Sequence, residues 1–156
     1  MLQDFNGHAG ETTGARFTRL MGQHNMPFTV LGTSSKSAKM GGQSEATLAE
    51  LTAQHGALPA TPVQTTSRGR HYVFQVTQAV PNSAGTVGAH PDAQGKSTPS
   101  GIDTRGDGGY IIMPPSPGYA VTCDAEPAPL PDWLLALILK PATVPRAAVR
   151  QRWLRV

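Results

Sequence analysis

The clearest alternation of apolar and polar residues lies in the middle of the chain. Residues 71–76 read HYVFQV, in which every second residue is large and apolar. This period of two is typical of a half-buried β-strand. Residues 63–66 predict a preceding strand, and the SRGR sequence at 67–70 predicts a tight turn between the two. The pattern therefore predicts a β-hairpin with His71 at its mouth.

Two segments have helical patterns. From Ser44 onward the chain is rich in strong helix formers, with Ser44 as the expected N-cap and Gly56 as the expected stop. Residues 130–140 (LPDWLLALILK) predict a second helix, in which Pro131 suits the first helical position. The apolar face of the second helix, including Trp133, is expected to lie in the core.

Short apolar runs at 28–31 (FTVL) and 110–113 (YIIM) predict two further buried strands. The glycine-, serine- and proline-rich segment 81–99 predicts a long surface loop. Helices and short strands in this order predict a single α+β domain with a mixed or antiparallel sheet and flanking helices.

Composition limits the class of protein. The chain has 156 residues, the length of about one domain, and carries 17 glycines and 14 prolines. Its net charge of +3 is compatible with nucleic acid without arguing for it. Four arginines between residues 146 and 155 predict a basic C-terminal tail at 141–156, which is more often a solvated end than a DNA contact.

Cys123 is the single cysteine, so an intrachain disulfide is excluded and a reducing compartment is expected. The five histidines have no zinc-site spacing. No apolar run approaches the roughly 20 residues that span a bilayer, and the first ten residues lack a signal-peptide core. We expect a cytoplasmic protein with no membrane partner.

Three stretches carry a resemblance to a known family. They are TTSRGRHYVF at 65–74, GIDTRGDGGYIIMPPS at 101–116 and LPDWLLALI at 130–138, with a further similar segment at 44–62. In this order they resemble the bifunctional DNA primase/polymerase N-terminal (prim-pol) domain of phage, plasmid and prophage replication proteins. The resemblance covers about residues 44–140 and implies an RNA-recognition-like catalytic core.

The resemblance implies metal-dependent nucleotidyl transfer in DNA replication. Two Mg2+ or Mn2+ ions are expected to hold the reacting oxygens, with a DNA template and nucleoside triphosphates as partners. Asp103 matches a metal-binding catalytic carboxylate, and His71 matches the catalytic histidine that binds the nucleotide. Ser67, Gly69 and Arg105 match further nucleotide-binding positions. Outside this context His71 would be an ordinary surface residue and Asp103 a turn residue, which is how we interpret Asp107.

The family's Asp-x-Asp or Asp-x-Glu metal pair is missing. The chain has no Asp or Glu between Glu11 and Glu45, and Gly32 and Ser34 occupy the expected positions of the two carboxylates. Arg68 also replaces the middle glycine of the hairpin turn, where it would crowd the nucleotide or add a phosphate contact.

Three hypotheses follow: a primase–polymerase enzyme, a catalytically inactive nucleotide- or nucleic-acid-binding remnant, and a truncated product without independent function. A reading-frame shift near residue 43 would also explain the abrupt onset of the resemblance. We predict a divergent or poorly ordered segment at 1–43, the prim-pol-like domain at 44–140, and a replicative helicase on a separate chain.

Overall fold

The computed structural model describes residues 28–34, 41–91 and 93–139, together with Ala15 and Arg19. Within them the chain forms a six-stranded sheet, a separate two-stranded ribbon and two helices. The elements are β1 (Phe28–Ser34), α1 (Gly41–His55), β2 (Val63–Thr65), β3 (Gly69–Gln75), β4 (His90–Pro91), β5 (Ser97–Thr98), β6 (Asp103–Arg105), β7 (Ala120–Cys123), β8 (Ala128–Pro129) and α2 (Asp132–Leu139).

The large sheet is open and has the order β6-β1-β3-β2-β7. All neighbours along this path are antiparallel, while β8 pairs with β3 in parallel. The β1 and β3 strands pair along all of their length, from Phe28 opposite Gln75 to Ser34 opposite Gly69. The α+β prediction is confirmed. The short β4–β5 ribbon lies within the segment predicted as a loop.

Alternation along the strands separates two sides of the sheet. Leu31 and Phe74 are fully buried on the side that carries both helices, and Leu134 of α2 packs in the same cluster. The opposite side carries a smaller cluster around Val30 and Val73. The predicted alternation of residues 71–76 is therefore confirmed, because Phe74 and Val73 belong to different clusters.

The first helix begins earlier than predicted. It starts at Gly41, so Ser44 lies inside the helix and is not its N-cap. The Ser44 hydroxyl is fully buried; it donates to the Ser34 carbonyl at 2.6 Å and accepts from the Ser34 amide at 2.9 Å. This serine therefore ties α1 to the end of β1. The predicted stop is confirmed, because Gly56 follows the helix with a φ of 116°.

The predicted buried strand at 110–113 is wrong. The segment belongs to no strand and crosses the side of the sheet opposite the helices. Ile111 and Met113 pack on Val30 and Val73, whereas Tyr110 is 85% exposed and Ile112 is 49% exposed. The apolar run therefore covers one side of a sheet with alternate residues instead of joining the sheet as a strand.

The second helix ends at Leu139, and Trp133 is half-buried against the core. Its indole stacks on the imidazole of His55, with ring centroids 5.1 Å apart. Neither helix in these segments has the length and apolar character needed to cross a membrane. The predicted tail at 141–156 and most of the predicted N-terminal segment lie outside the described residues.

Candidate functional site

A row of residues crosses four neighbouring strands at one level. Gly32 on β1 is directly opposite Asp103 on β6 and directly opposite His71 on β3. His71 is in turn opposite Gln64 on β2. Because directly opposite residues project to the same side of a sheet, the row Asp103–Gly32–His71–Gln64 lies on the side away from the helices.

Gly32 leaves open space in the centre of this row. A Cβ atom built on Gly32 would lie 3.5 Å from Cδ2 of His71 and 3.8 Å from Cβ of Asp103. Both distances are ordinary van der Waals contacts, so the fold accepts a side chain at this position. The structure thus brings together two of the predicted site residues, Asp103 and His71, on either side of the glycine.

Three members of the row, Asp103, Gly32 and His71, line a pocket of about 930 Å3, within the usual size range of ligand sites. Its lining combines polar or basic residues with aromatic or apolar ones. The polar and basic residues include Ser34, Thr66, Ser67, Arg68, His71 and Arg105, and the aromatic and apolar residues include Tyr110, Ile111, Ile112 and Tyr119.

Asp103 already has partners in this pocket. Its Oδ1 accepts a hydrogen bond from the Gly85 amide at 2.6 Å, and its Oδ2 lies 3.9 Å from Nη2 of Arg105. About two-fifths of each side chain is exposed, so the ion pair is solvated and weak. The carboxylate is therefore held in place by backbone and remains accessible from the pocket.

His71 is half-buried beside Asp103. Burial lowers the pKa of its imidazole below the usual value of 6.5, the positive charge of Arg105 lowers it further, and the negative charge of Asp103 opposes both. The neutral form therefore predominates at neutral pH. Nδ1 of His71 lies 2.8 Å from Nε2 of Gln64.

Arg105 is engaged with backbone. Its Nη1 donates to the carbonyls of Ser83 and Thr104, each at 3.0 Å. The guanidinium therefore links β6 to the preceding loop and also lines the pocket. Arg68 also lines the pocket and is exposed.

The two predicted turn residues have different positions. Ser67 lines the pocket, whereas Gly69 does not belong to its lining. Gly69 is buried, and a Cβ atom there would collide with the backbone of Thr33. Its lack of a side chain is required by the close approach of β1 and β3.

A family model for the bifunctional DNA primase/polymerase N-terminal domain matches residues 10–133. The chain belongs to this family. Searches among curated proteins and among solved structures found no match. Membership of the prim-pol family suggests DNA and nucleotides as substrates and metal-dependent nucleotidyl transfer as the family activity. The matched segment starts upstream of the predicted boundary at residue 44 and includes β1.

The pocket of this prim-pol domain does not fit a two-metal centre. Hard divalent cations need oxygen ligands, chiefly carboxylates. Of the described residues that line the pocket, Asp103 alone carries a carboxylate. Glu45, the next acidic residue along the chain from β1, accepts a hydrogen bond from the Thr33 hydroxyl at 2.7 Å. The described part of the chain contains no group of three or more His, Cys, Asp or Glu residues able to hold a metal.

Sequence reasoning missed Gln64. The residue is fully buried and contacts both His71 and the backbone of Ile112. The predicted turn at 67–70 is centred between Arg68 and Gly69, which would place His71 opposite Thr66. In the structure the pairing is centred one residue earlier, between Ser67 and Arg68, and His71 is opposite Gln64. The predicted hairpin therefore did not give the register that brings Gln64 beside His71.

Proposed function

We propose that this prim-pol domain binds a nucleoside triphosphate and DNA in the context of DNA replication, without assembling a two-metal catalytic centre. The observation that carries the proposal is the Gly32 position. Gly32 lies between His71 and Asp103 with room for a Cβ atom, at a position where the sequence resemblance predicts a carboxylate.

The remaining pocket suits a nucleotide. Arg68 and Arg105 supply positive charge for phosphates. The aromatic side chains of Tyr110 and Tyr119 offer surfaces on which a base can stack. Binding by these groups needs no divalent cation, because the cationic side chains face the phosphates directly.

Isothermal titration calorimetry of the full chain with ATP and dATP tests binding. We expect binding in EDTA to be as tight as in MgCl2. Arg68→Gln should weaken it about three- to tenfold, as expected for a partly solvated contact to a charged group. Lys96→Gln is the matched control, because Lys96 is exposed and outside the pocket lining, and it should leave affinity unchanged.

A primer-synthesis assay on single-stranded DNA with Mg2+ or Mn2+ tests the catalytic part. We expect no product from the wild-type chain. Product that disappears in Asp103→Ala would overturn the proposal and support an active primase–polymerase. Absence of both nucleotide and DNA binding would also overturn the proposal, and would support the hypothesis of a truncated chain without independent function. The separate helicase and the cytoplasmic location stay predictions.

A further inference from the structure

Gln64 is a buried polar residue with an unusual set of contacts. Its side chain is fully buried, and its amide nitrogen Nε2 lies 2.8 Å from Nδ1 of His71 and 2.8 Å from the Ile112 carbonyl oxygen. Its Oε1 is buried without a hydrogen-bond partner among the described residues. A buried polar group with one unsatisfied atom is costly, by about 1–3 kcal/mol, so its contacts need an explanation.

The orientation of the amide follows from Ile112. A backbone carbonyl oxygen accepts hydrogen bonds and cannot donate them. The Gln64 atom beside it must therefore be the NH2 group, because the flipped amide would place two carbonyl oxygens 2.8 Å apart. One proton of the NH2 group goes to Ile112, and the other points to His71.

The protonation of His71 follows from the amide. Nδ1 of His71 faces an N–H donor and must itself be an acceptor. The neutral imidazole then carries its proton on Nε2. Nε2 faces the open space at Gly32, since it would lie 3.8 Å from a Cβ atom placed on that glycine. An N–H directed into this space is a donor for an anionic oxygen and is not available as a metal ligand.

We propose that Gln64 is a positioning residue that fixes His71 as an Nε2–H donor to a phosphate oxygen of the bound nucleotide. The same amide holds segment 110–113 over the sheet through Ile112. Gln64 thereby links His71 on the sheet to Ile112 in this segment, and both of these residues line the pocket. The phosphate role rests on the proposed nucleotide binding, whereas the tautomer of His71 does not.

Nuclear magnetic resonance of the ligand-free chain with 15N-labelled histidine tests the tautomer. His71 signals are assigned by their loss in His71→Gln. We expect a protonated Nε2 and an unprotonated Nδ1 above the pKa of the ring. In Gln64→Glu the carboxylate accepts from Nδ1, so the proton should move to Nδ1. A wild-type ring protonated on Nδ1, or an unchanged tautomer in folded Gln64→Glu, overturns the proposal.

Titration with ATP tests the positioning role. Gln64→Met keeps the volume of the side chain while it removes both hydrogen bonds, and we expect affinity to fall about tenfold, the loss of one to two net hydrogen bonds. Gln78→Met, at an exposed glutamine outside the pocket lining, is the control and should bind like wild type. Reduced stability of Gln64→Met with unchanged affinity would identify a merely structural residue. If wild type binds no ATP, the proposed function fails, while the tautomer measurement still decides the orientation of His71.

Discussion

Replacement of Gly32 by aspartate tests the geometry of the site most directly. The new Cβ would lie 3.8 Å from Cβ of Asp103 and 3.5 Å from Cδ2 of His71, and the backbone there does not have a positive φ. The new Cβ atom therefore fits without a clash. The substitution creates a pair of carboxylates on adjacent strands, which is the type of ligand that Mg2+ and Mn2+ prefer.

The energetic consequence can be estimated from these distances. Two carboxylates about 5 Å apart repel each other by about 3 kcal/mol at an effective dielectric constant of about 20. Asp103 is 43% exposed, so solvent and salt should reduce this repulsion to about 1–2 kcal/mol. A cation that binds the pair stabilises the folded state by about 2.7 kcal/mol in total at 100 times its Kd, which exceeds the repulsion.

Urea denaturation in EDTA and in excess MnCl2 measures these effects. Gly32→Asn is the matched control, because it has the same shape without the charge. In EDTA we expect Gly32→Asp to be less stable than Gly32→Asn, and in MnCl2 we expect the order to reverse. Equal stabilities of the two variants under both conditions would refute the placement of Gly32 beside Asp103.

Three further predictions concern the framework of the site. Gly69→Ala should lower the free energy of unfolding, measured by urea denaturation, by about 3 kcal/mol, because its Cβ collides with the backbone of Thr33. Gly32→Ala should lower it by less than about 1 kcal/mol. Similar losses in the two variants would contradict the strand packing. Ser44→Ala should lower the free energy of unfolding by about 2 kcal/mol, because two backbone groups of Ser34 lose their buried partner. Ser67→Ala, at an exposed serine, is the control. The pKa of His71 is lowered in the folded chain, so near this pKa the unfolded chain binds more protons than the folded chain. The free energy of unfolding should therefore fall as the pH drops below about 6.5. His71→Gln should reduce this pH dependence in denaturation curves at pH 7.5 and 5.5.

The parts of the fold that sequence predicted are those set by neighbouring residues. The hairpin around Gly69 and the end of α1 at Gly56 depend on local turn chemistry and alternation, which can be recognised in one segment. The central position of β1 could not be predicted, because it depends on pairing with β6 about seventy residues away. The buried role of Ser44 was missed for the same reason, since its partner Ser34 lies outside the helix.

The segment 110–113 shows a different limit. A short apolar run indicates that a segment is at least partly covered, but it does not tell whether the segment pairs with other strands or lies across them. Here Gln64 binds the Ile112 carbonyl through its side chain, in place of the backbone partner that a strand would provide. That contact joins two residues that are 48 positions apart in the sequence, so no local pattern contains it.

The two glycines of the site differ in what they require, and this difference bears on function. Gly69 must be a glycine because the backbone of the neighbouring strand fills the space of its side chain. Gly32 has no such constraint, because a side chain there would meet only ordinary contacts. Packing therefore does not account for a glycine between His71 and Asp103. A carboxylate introduced at Gly32 would therefore change the chemistry of the site while the packing of the strands stays the same.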